Sequence, residues 1–381
     1  MVSSPVEAPF VFSEEADLFR ASVRAFARTE LAPGYLERAR SDKFPEDAYA
    51  SVVAHGFAAL NAPESLGGQE VDVVSLGIAV EELAWADFNV AELVFLNALM
   101  VELLRGHALF DTIVPEIAAG RKRMALGLTE PGAGSDANAL TTRAVPDGEG
   151  WRLFGEKTSI SSAPHAHTAI VFAREPGAGV SAFLVDLDDT VYRQRFDDPG
   201  NRPVGRGSLT FDGTWVPPEN LLGARGRGFQ QVMGAFDLSR PLLGLMAVGT
   251  AQHALDLTVE YVRTREAFGR PLAHNQGVSF PLAEHDTGLE LTRMLGYRTL
   301  GLRLAGRPHT REAAMLKWWG PVTGVRVISD CILLHGHIGW SNEMPLQQMC
   351  HDVGGMQIGD GTAQIQKLVI ARALLGRDMV P

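Results

Sequence analysis

The run Leu128-Thr129-Glu130-Pro131-Gly132-Ala133-Gly134-Ser135-Asp136 is the stretch of this chain richest in chemistry. Two glycines bracket Ala133, with Thr129 and Ser135 close by, so a sharp polar turn can aim backbone N–H groups and hydroxyls at an anion. The plainer alternative is a loop whose glycines only supply positive φ. A second run, Arg265-Glu266-Ala267-Phe268-Gly269-Arg270-Pro271 with Gln276 beyond it, ends a long helix in a guanidinium. Its planar fork suits a pyrophosphate. Phe268, one turn on, falls on the same side, and Gly269 and Pro271 stop the helix. The third run, Ile358-Gly359-Asp360-Gly361-Thr362-Ala363-Gln364-Ile365-Gln366, offers Asp360 as a base. A carboxylate in a dry site gains basicity by desolvation. The same residue could merely favour a helix dipole, worth under about 1 kcal/mol.

Composition bounds the setting. With 381 residues, 46% hydrophobic and 21% charged, the chain can build a substantial core over two or three domains. A net charge of −11 argues against nucleic acid or an anionic membrane as partner. Two cysteines, Cys331 and Cys350, support neither a disulfide framework nor a zinc site, and His335 with His337 lacks nearby carboxylates, so no metal is expected. No apolar run reads as a membrane span, and residues 1–7 lack the pattern of a signal peptide, which together predict a cytoplasmic protein.

The elements that must position these residues fall in three zones. Over 13–120 the pattern is helical: Ser13 caps a helix with Glu14 and Glu15 in its first turn, and Phe19, Val23 and Phe26 share a face. Pro33-Gly34 should stop it, and further helices are predicted over 73–86 and 90–104. Between 124 and 222 short strands are predicted at 151–154, 168–173, 181–185 and 208–211. Helices return at 228–265, with a kink or early start at Pro241, then at 278–304, 310–334 and 362–375. Helices, strands, helices is an α+β order.

Together the three runs resemble the signature of the acyl-CoA dehydrogenases, flavoproteins that hold FAD and an acyl thioester, and the resemblance covers essentially the whole chain. It implies an N-terminal helical domain (1–122), a middle β-barrel-like domain (123–226) and a C-terminal four-helix bundle (227–381). It implies FAD contacts from Leu128, Thr129, Ser135, Ile160, Ser161, Arg265, Phe268, Gln276, Gly336, Thr362 and Gln364. Arg265, Phe268 and Gln276 would reach the FAD of a neighbouring subunit, so a homo-oligomer, dimer or tetramer, is implied. Asp360 stands at the Glu of the family's Tyr-Glu-Gly-Thr, the base that takes the α-proton while a β-hydride goes to flavin N5. Ser135, Asp237, Arg240, Gly359 and Gly361 are the implied contacts to the thioester, and an external electron acceptor, such as an electron-transfer flavoprotein, is implied.

The chain departs from the family at several points. Asp for Glu shortens the base by one methylene, on the order of 1.5 Å, against a reach of roughly 3.2 Å needed for proton transfer. Gly359 replaces a bulky aromatic, and Gly-Asp-Gly-Thr-Ala-Gln resembles a variant associated with cyclic-acyl and carrier-bound substrates. Ser239 occupies the family's other base position and cannot serve, while Asp87 is a second candidate carboxylate that reads better as a cap. Ser159 stands for a Trp that packs on the flavin, Leu333 and His337 replace a Gln and a Gly, and His351 an Arg. The leading expectation is FAD-dependent α,β-dehydrogenation of an acyl-CoA. The alternatives are an acyl-carrier-protein dehydrogenase acting at an unusual carbon, a flavin monooxygenase on this fold, or a non-catalytic flavin-binding protein.

Overall fold

A computed structural model describes residues 12–380. The N-terminal residues 1–7, considered above for a signal peptide, lie outside the described residues. Helix α1 (Glu14–Phe26) starts as expected: the Ser13 hydroxyl accepts from Ala16 N at 3.2 Å, acidic residues fill the first turn, and Val23 and Phe26 are buried. Pro33-Gly34 does not end the helical path, because residues 27–31 widen into a π turn and 32–34 tighten into a 3-10 turn that leads into α2 (Tyr35–Ala39). Proline in the first turn of such a segment loses no hydrogen bond. Then come α3 (Glu46–Ala54), α4 (Val73–Ala86), α5 (Phe88–Leu104) and α6 (Phe110–Ala118). The α4–α5 junction turns on Asp87, whose carboxylate accepts from Asn89 N at 3.0 Å, Val90 N at 3.2 Å and Arg38 Nε at 2.8 Å. Asp87 is a cap, and its hydrogen bonds to Asn89, Val90 and Arg38 join α5 to the residues before it.

The middle segment folds into an eight-stranded sheet: β1 (Met124–Gly127), β2 (Arg143–Asp147), β3 (Gly150–Ser161), β4 (Thr168–Glu175), β5 (Gly179–Asp186), β6 (Val191–Arg195), β7 (Arg206–Val216) and β8 (Leu221–Leu222). The order is β6-β7-β3-β2-β4-β5-β8, with β1 parallel to β4. The four predicted strands are all present but longer, since β3 continues through polar residues paired to β7. That pairing slips between Lys157 and Ile160, a bulge that places Ser159 at φ 59 and re-aims the residues after it.

The C-terminal segment is built on α7 (Gly228–Thr264), which runs through Pro241 as one helix. By length and composition α7 could cross a membrane, contrary to the expectation from sequence, but 72% of its apolar window is buried inside the protein. It packs on α8 (Gln276–Leu304) and α9 (Thr310–His335); α9 in turn meets α11 (Leu346–Gly355) and α12 (Ala363–Leu375), and the short α10 (His337–Trp340) lies between α9 and α11. Gly320 of α9 makes the α7–α9 contact possible, because a Cβ there would stand 2.9 Å from Gly244 Cα. Between α7 and α8 the chain does not extend the helix to Phe268 as expected. It forms a two-residue hairpin, β9 (Glu266–Ala267) and β10 (Arg270–Pro271), turning on Phe268 and Gly269 at φ 53 and 78. Two successive positive φ values mark the turn that matches strand twist, and Gly269 supplies one of them without strain.

Candidate active site

A cavity of ≈ 430 Å³ opens where α5, the turn after β1, the end of β3, α7 and the 356–362 loop meet. Its walls include Leu128, Thr129, Ser135, Ile160, Ser161, Arg240, Gly359, Asp360, Gly361 and Thr362. Residues far apart in the chain therefore converge on one space.

The turn after β1 is held by a pair that sequence reasoning missed. Glu130 is buried and accepts from Lys157 Nζ at 2.8 Å, Thr142 N at 2.8 Å, Thr141 N at 2.6 Å and Thr141 Oγ1 at 2.8 Å. Burial works to raise its carboxyl, but these donors hold it down at about 2. Lys157 also donates to Leu128 O at 3.0 Å, and Thr158 N to Thr129 O at 2.9 Å, so both predicted contact residues are pinned to β3. Gly132 and Gly134 do not adopt positive φ, which corrects the plain-loop alternative. A Cβ on either would meet nothing within 4 Å. The fold does not need glycine there, and the space above the turn stays open to a ligand.

Asp360 sits two residues ahead of Thr362, whose hydroxyl caps α12 by accepting from Ile365 N at 3.3 Å. Its carboxylate accepts from the Ser239 hydroxyl at 2.5 Å, a contact from α7 across to the 356–362 loop. The loop beneath is fixed by Gln366 Nε2, which donates to Asp360 O and Gly361 O, both at 3.1 Å. Lys317, fully buried, also donates to Gly361 O at 2.9 Å. Burial lowers the Lys317 ammonium to about 8, against the attraction of Asp360. Asp360 takes φ 50, a conformation that Asp tolerates better than most residues.

Arg240 is buried in the cavity wall, and its Nε has no hydrogen-bond partner among the described residues. Asp237 does not line the cavity; it pairs with Arg240 at 3.3 Å and accepts from Thr310 Oγ1 at 2.5 Å. Residues three apart on a helix are neighbours, which lets Asp237 pair with Arg240 from outside the cavity. Arg265, Phe268, Gln276, Gly336 and Gln364 also stand away from this cavity, exposed on the chain's surface. His335 is buried, stacked on Tyr261 at 4.3 Å, with Nδ1 2.9 Å from Cys331 O, while His337 is exposed. Among the described residues no group of three metal-binding side chains occurs.

The unforeseen side chain is Glu92. It lies on α5 within the cavity wall, 4% exposed, and accepts from Asn201 Nδ2 at 2.7 Å and Ser161 Oγ at 3.1 Å. Burial raises its carboxyl to about 7, and the charges of Asp352 and Asp360 push the same way. Asp352, buried behind it, accepts from Tyr35 Oη at 2.8 Å, Asn89 Nδ2 at 3.1 Å, Asn201 N at 2.8 Å and Gln348 Nε2 at 2.9 Å. Burial raises Asp352 to about 6. The available signal for Glu92 was a single acid at the helical spacing of Phe95, Leu96 and Leu99.

Residues 13–109, 125–214 and 226–375 match the profiles of the acyl-CoA dehydrogenase N-terminal, middle and C-terminal domains. The chain is 32% identical to "Probable acyl-CoA dehydrogenase YngJ" of Bacillus subtilis, covering 96% of this chain and 99% of that protein. It is 31% identical to the "Caffeyl-CoA reductase-Etf complex subunit CarC" of Acetobacterium woodii, over 96% and 99% of the two chains. The solved butyryl-CoA dehydrogenase of Megasphaera elsdenii superposes with a TM-score of 0.91 at 30% identity, covering 96% of this chain and 99% of the other. With all three domain profiles matched along the chain, this chain belongs to the acyl-CoA dehydrogenase family, FAD-dependent oxidoreductases that act on the CH–CH bond of acyl-CoA thioesters.

Proposed function

We propose that Asp360 is the base that takes the α-proton of an acyl-CoA bound in the ≈ 430 Å³ cavity. The observation that carries this reading is the anchoring of Asp360: Ser239 holds the carboxylate, and Gln366 and Lys317 hold the loop. A carboxylate aimed in this way loses little freedom on reaching the transition state. Gly359 leaves open space beside it, where a Cβ would meet nothing within 4 Å. Arg240, with its unpartnered Nε, and Ser135 are positioned to meet the polar end of the thioester, while Phe95, Leu96 and Leu99 wall off water from the acyl chain.

Bound FAD supplies the hydride acceptor. Leu128, Thr129, Ser135, Ile160, Ser161 and Thr362 line the cavity as a mixed apolar and hydroxyl wall that suits a planar, partly polar ring. Arg265, Phe268, Gln276, Gly336 and Gln364 act in our reading on the cofactor of a second copy of the chain. Phe268 supports this, being fully exposed at 101% and held at φ 53, a strained placement for an aromatic unless something covers it. A homo-oligomer, dimer or tetramer, follows, with domains spanning 1–122, 123–226 and 227–381. The name of the Acetobacterium relative supports an electron-transfer flavoprotein as electron acceptor. A cytoplasmic setting completes the reading. No observation favours the carrier-protein, monooxygenase or non-catalytic alternatives.

The test is anaerobic mixing of the purified holoenzyme with a panel of acyl-CoAs while following flavin absorbance. Wild type should bleach with at least one acyl-CoA, and Asp360→Asn should bind it without bleaching, since an amide cannot take the proton. Undiminished bleaching in Asp360→Asn refutes the assignment.

A further inference from the structure

One face of α5 carries Glu92, Phe95, Leu96 and Leu99, at i, i+3, i+4 and i+7, and all four line the cavity. Three of these positions are apolar, as the wall of an acyl pocket should be. The fourth is a carboxylate, which ties α5 to Ser161 and Asn201. Its two hydrogen bonds come from neutral donors, Ser161 and Asn201, which a glutamine or a water could satisfy equally well. Among the described residues Glu92 is paired with no lysine, arginine or histidine. The charges that push its carboxyl up are those of Asp352 and Asp360, both of its own sign. Arg240, the cation among the described residues of the cavity lining, shares no ion pair or hydrogen bond with Glu92; its ion pair is with Asp237, at 3.3 Å. A buried carboxylate without a counter-ion is costly and calls for a partner of opposite sign.

We infer that the missing partner arrives with the substrate: the acyl group carries a cationic nitrogen, an ammonium or substituted ammonium, which Glu92 binds on the α5 wall. This rests on the reading that the cavity takes the acyl group. Each Glu92 oxygen accepts one hydrogen bond from the protein and keeps a lone pair for the ligand. The three apolar neighbours contact the methylenes between the thioester and the nitrogen. Ion pairing with a desolvated ammonium also keeps Glu92 ionised, against burial and two like charges that push its carboxyl up. Glu92 is thus a specificity residue, distinct from the base.

The test compares isosteric thioesters that differ in CH3 against NH3+: butanoyl-CoA with 3-aminopropanoyl-CoA, and heptanoyl-CoA with 6-aminohexanoyl-CoA. Dissociation constants are measured by calorimetry on the FAD-loaded Asp360→Asn protein, which does not turn over. At least one ammonium thioester should bind tighter than its hydrocarbon twin by about tenfold or more, the scale of a charge-assisted hydrogen bond. Adding Glu92→Gln should bring the two within about threefold. Equal or weaker binding of both ammonium thioesters overturns the inference, because it leaves Glu92 only the task of orienting Ser161 and Asn201. A preference that survives Glu92→Gln overturns it as well, because the cation is then read elsewhere. Flavin bleaching by the same pairs in wild type is scored separately. If no thioester bleaches the flavin while the binding preference holds, Asp360 as base fails and the role of Glu92 stands.

Discussion

Glu92→Gln should make this protein more stable at pH 8 and leave its stability at pH 4.5 and below nearly unchanged. The carboxyl stands at about 7 in the folded chain against 4.5 when unperturbed. Between those values the folded state holds the Glu92 proton and the unfolded state has released it, so stability falls as pH rises. The stabilising contribution is complete below 4.5 and lost once pH passes 7. A shift of roughly 2.5 units corresponds to a loss on the order of 3 kcal/mol by pH 8. Glutamine carries no charge at any of these pH values, yet it keeps a carbonyl to accept from Asn201 and an amide for the Ser161 oxygen. The difference between variant and wild type should therefore grow with pH, from about zero to about 3 kcal/mol in favour of the variant. Other groups largely cancel in that difference. Asp352, raised to about 6, loses stability in a similar window, and Glu130, lowered to about 2, loses its own only as pH falls below 4.5. The assay is urea unfolding of both proteins without thioester, at one protein concentration, from pH 4.5 to pH 8. A gap that does not change with pH would refute the reasoning, as would a variant that weakens progressively toward pH 8.

Three further outcomes are expected. Asp360→Glu should bleach more slowly with the native acyl group and shift its relative preference toward straight-chain acyl-CoAs, as the longer arm crowds Cα; an unchanged substrate profile in stopped flow would contradict this. Lys157→Met should cost about 3–5 kcal/mol in chemical denaturation, because it strands the buried Glu130 carboxylate, and a loss below about 1 kcal/mol would show that the turn stands without the pair. Arg265→Ala should weaken FAD retention by roughly 1.5–3 kcal/mol, measured by apoprotein titration, with light scattering showing a dimer or tetramer in both proteins; a monomer with full flavin would contradict the shared site.

Local rules made much of the molecule legible in advance. Ser13 capping α1, the spacing that marks α4, α7, α8 and α9, and the change of period between residues 124 and 222 all depend on neighbours within a turn or two. The same holds for the three motif runs, whose residue types alone pointed to an anion-binding turn, a guanidinium and a base. Two local readings failed where backbone geometry had more than one solution. Pro33-Gly34 sits inside a path that widens and then tightens without ending, and Phe268 lies on a hairpin turn instead of a helix.

What the sequence could not supply was the counterpart of each polar group. Glu130 and Lys157 are 27 positions apart, Ser239 and Asp360 are 121 apart, and Lys317 and Gly361 are 44 apart. Sequence alone determined that helices would flank a β segment and that Asp360 would lie in a loop before a helix, because period and capping are short-range. Tertiary structure alone decided that Ser239 holds Asp360, that Asp237 stands outside the cavity while Arg240 lines it, and that Glu92 faces the cavity with no ion-pair partner among the described residues. Burial, and the partner that must offset it, is a property of elements packed together from distant parts of the chain.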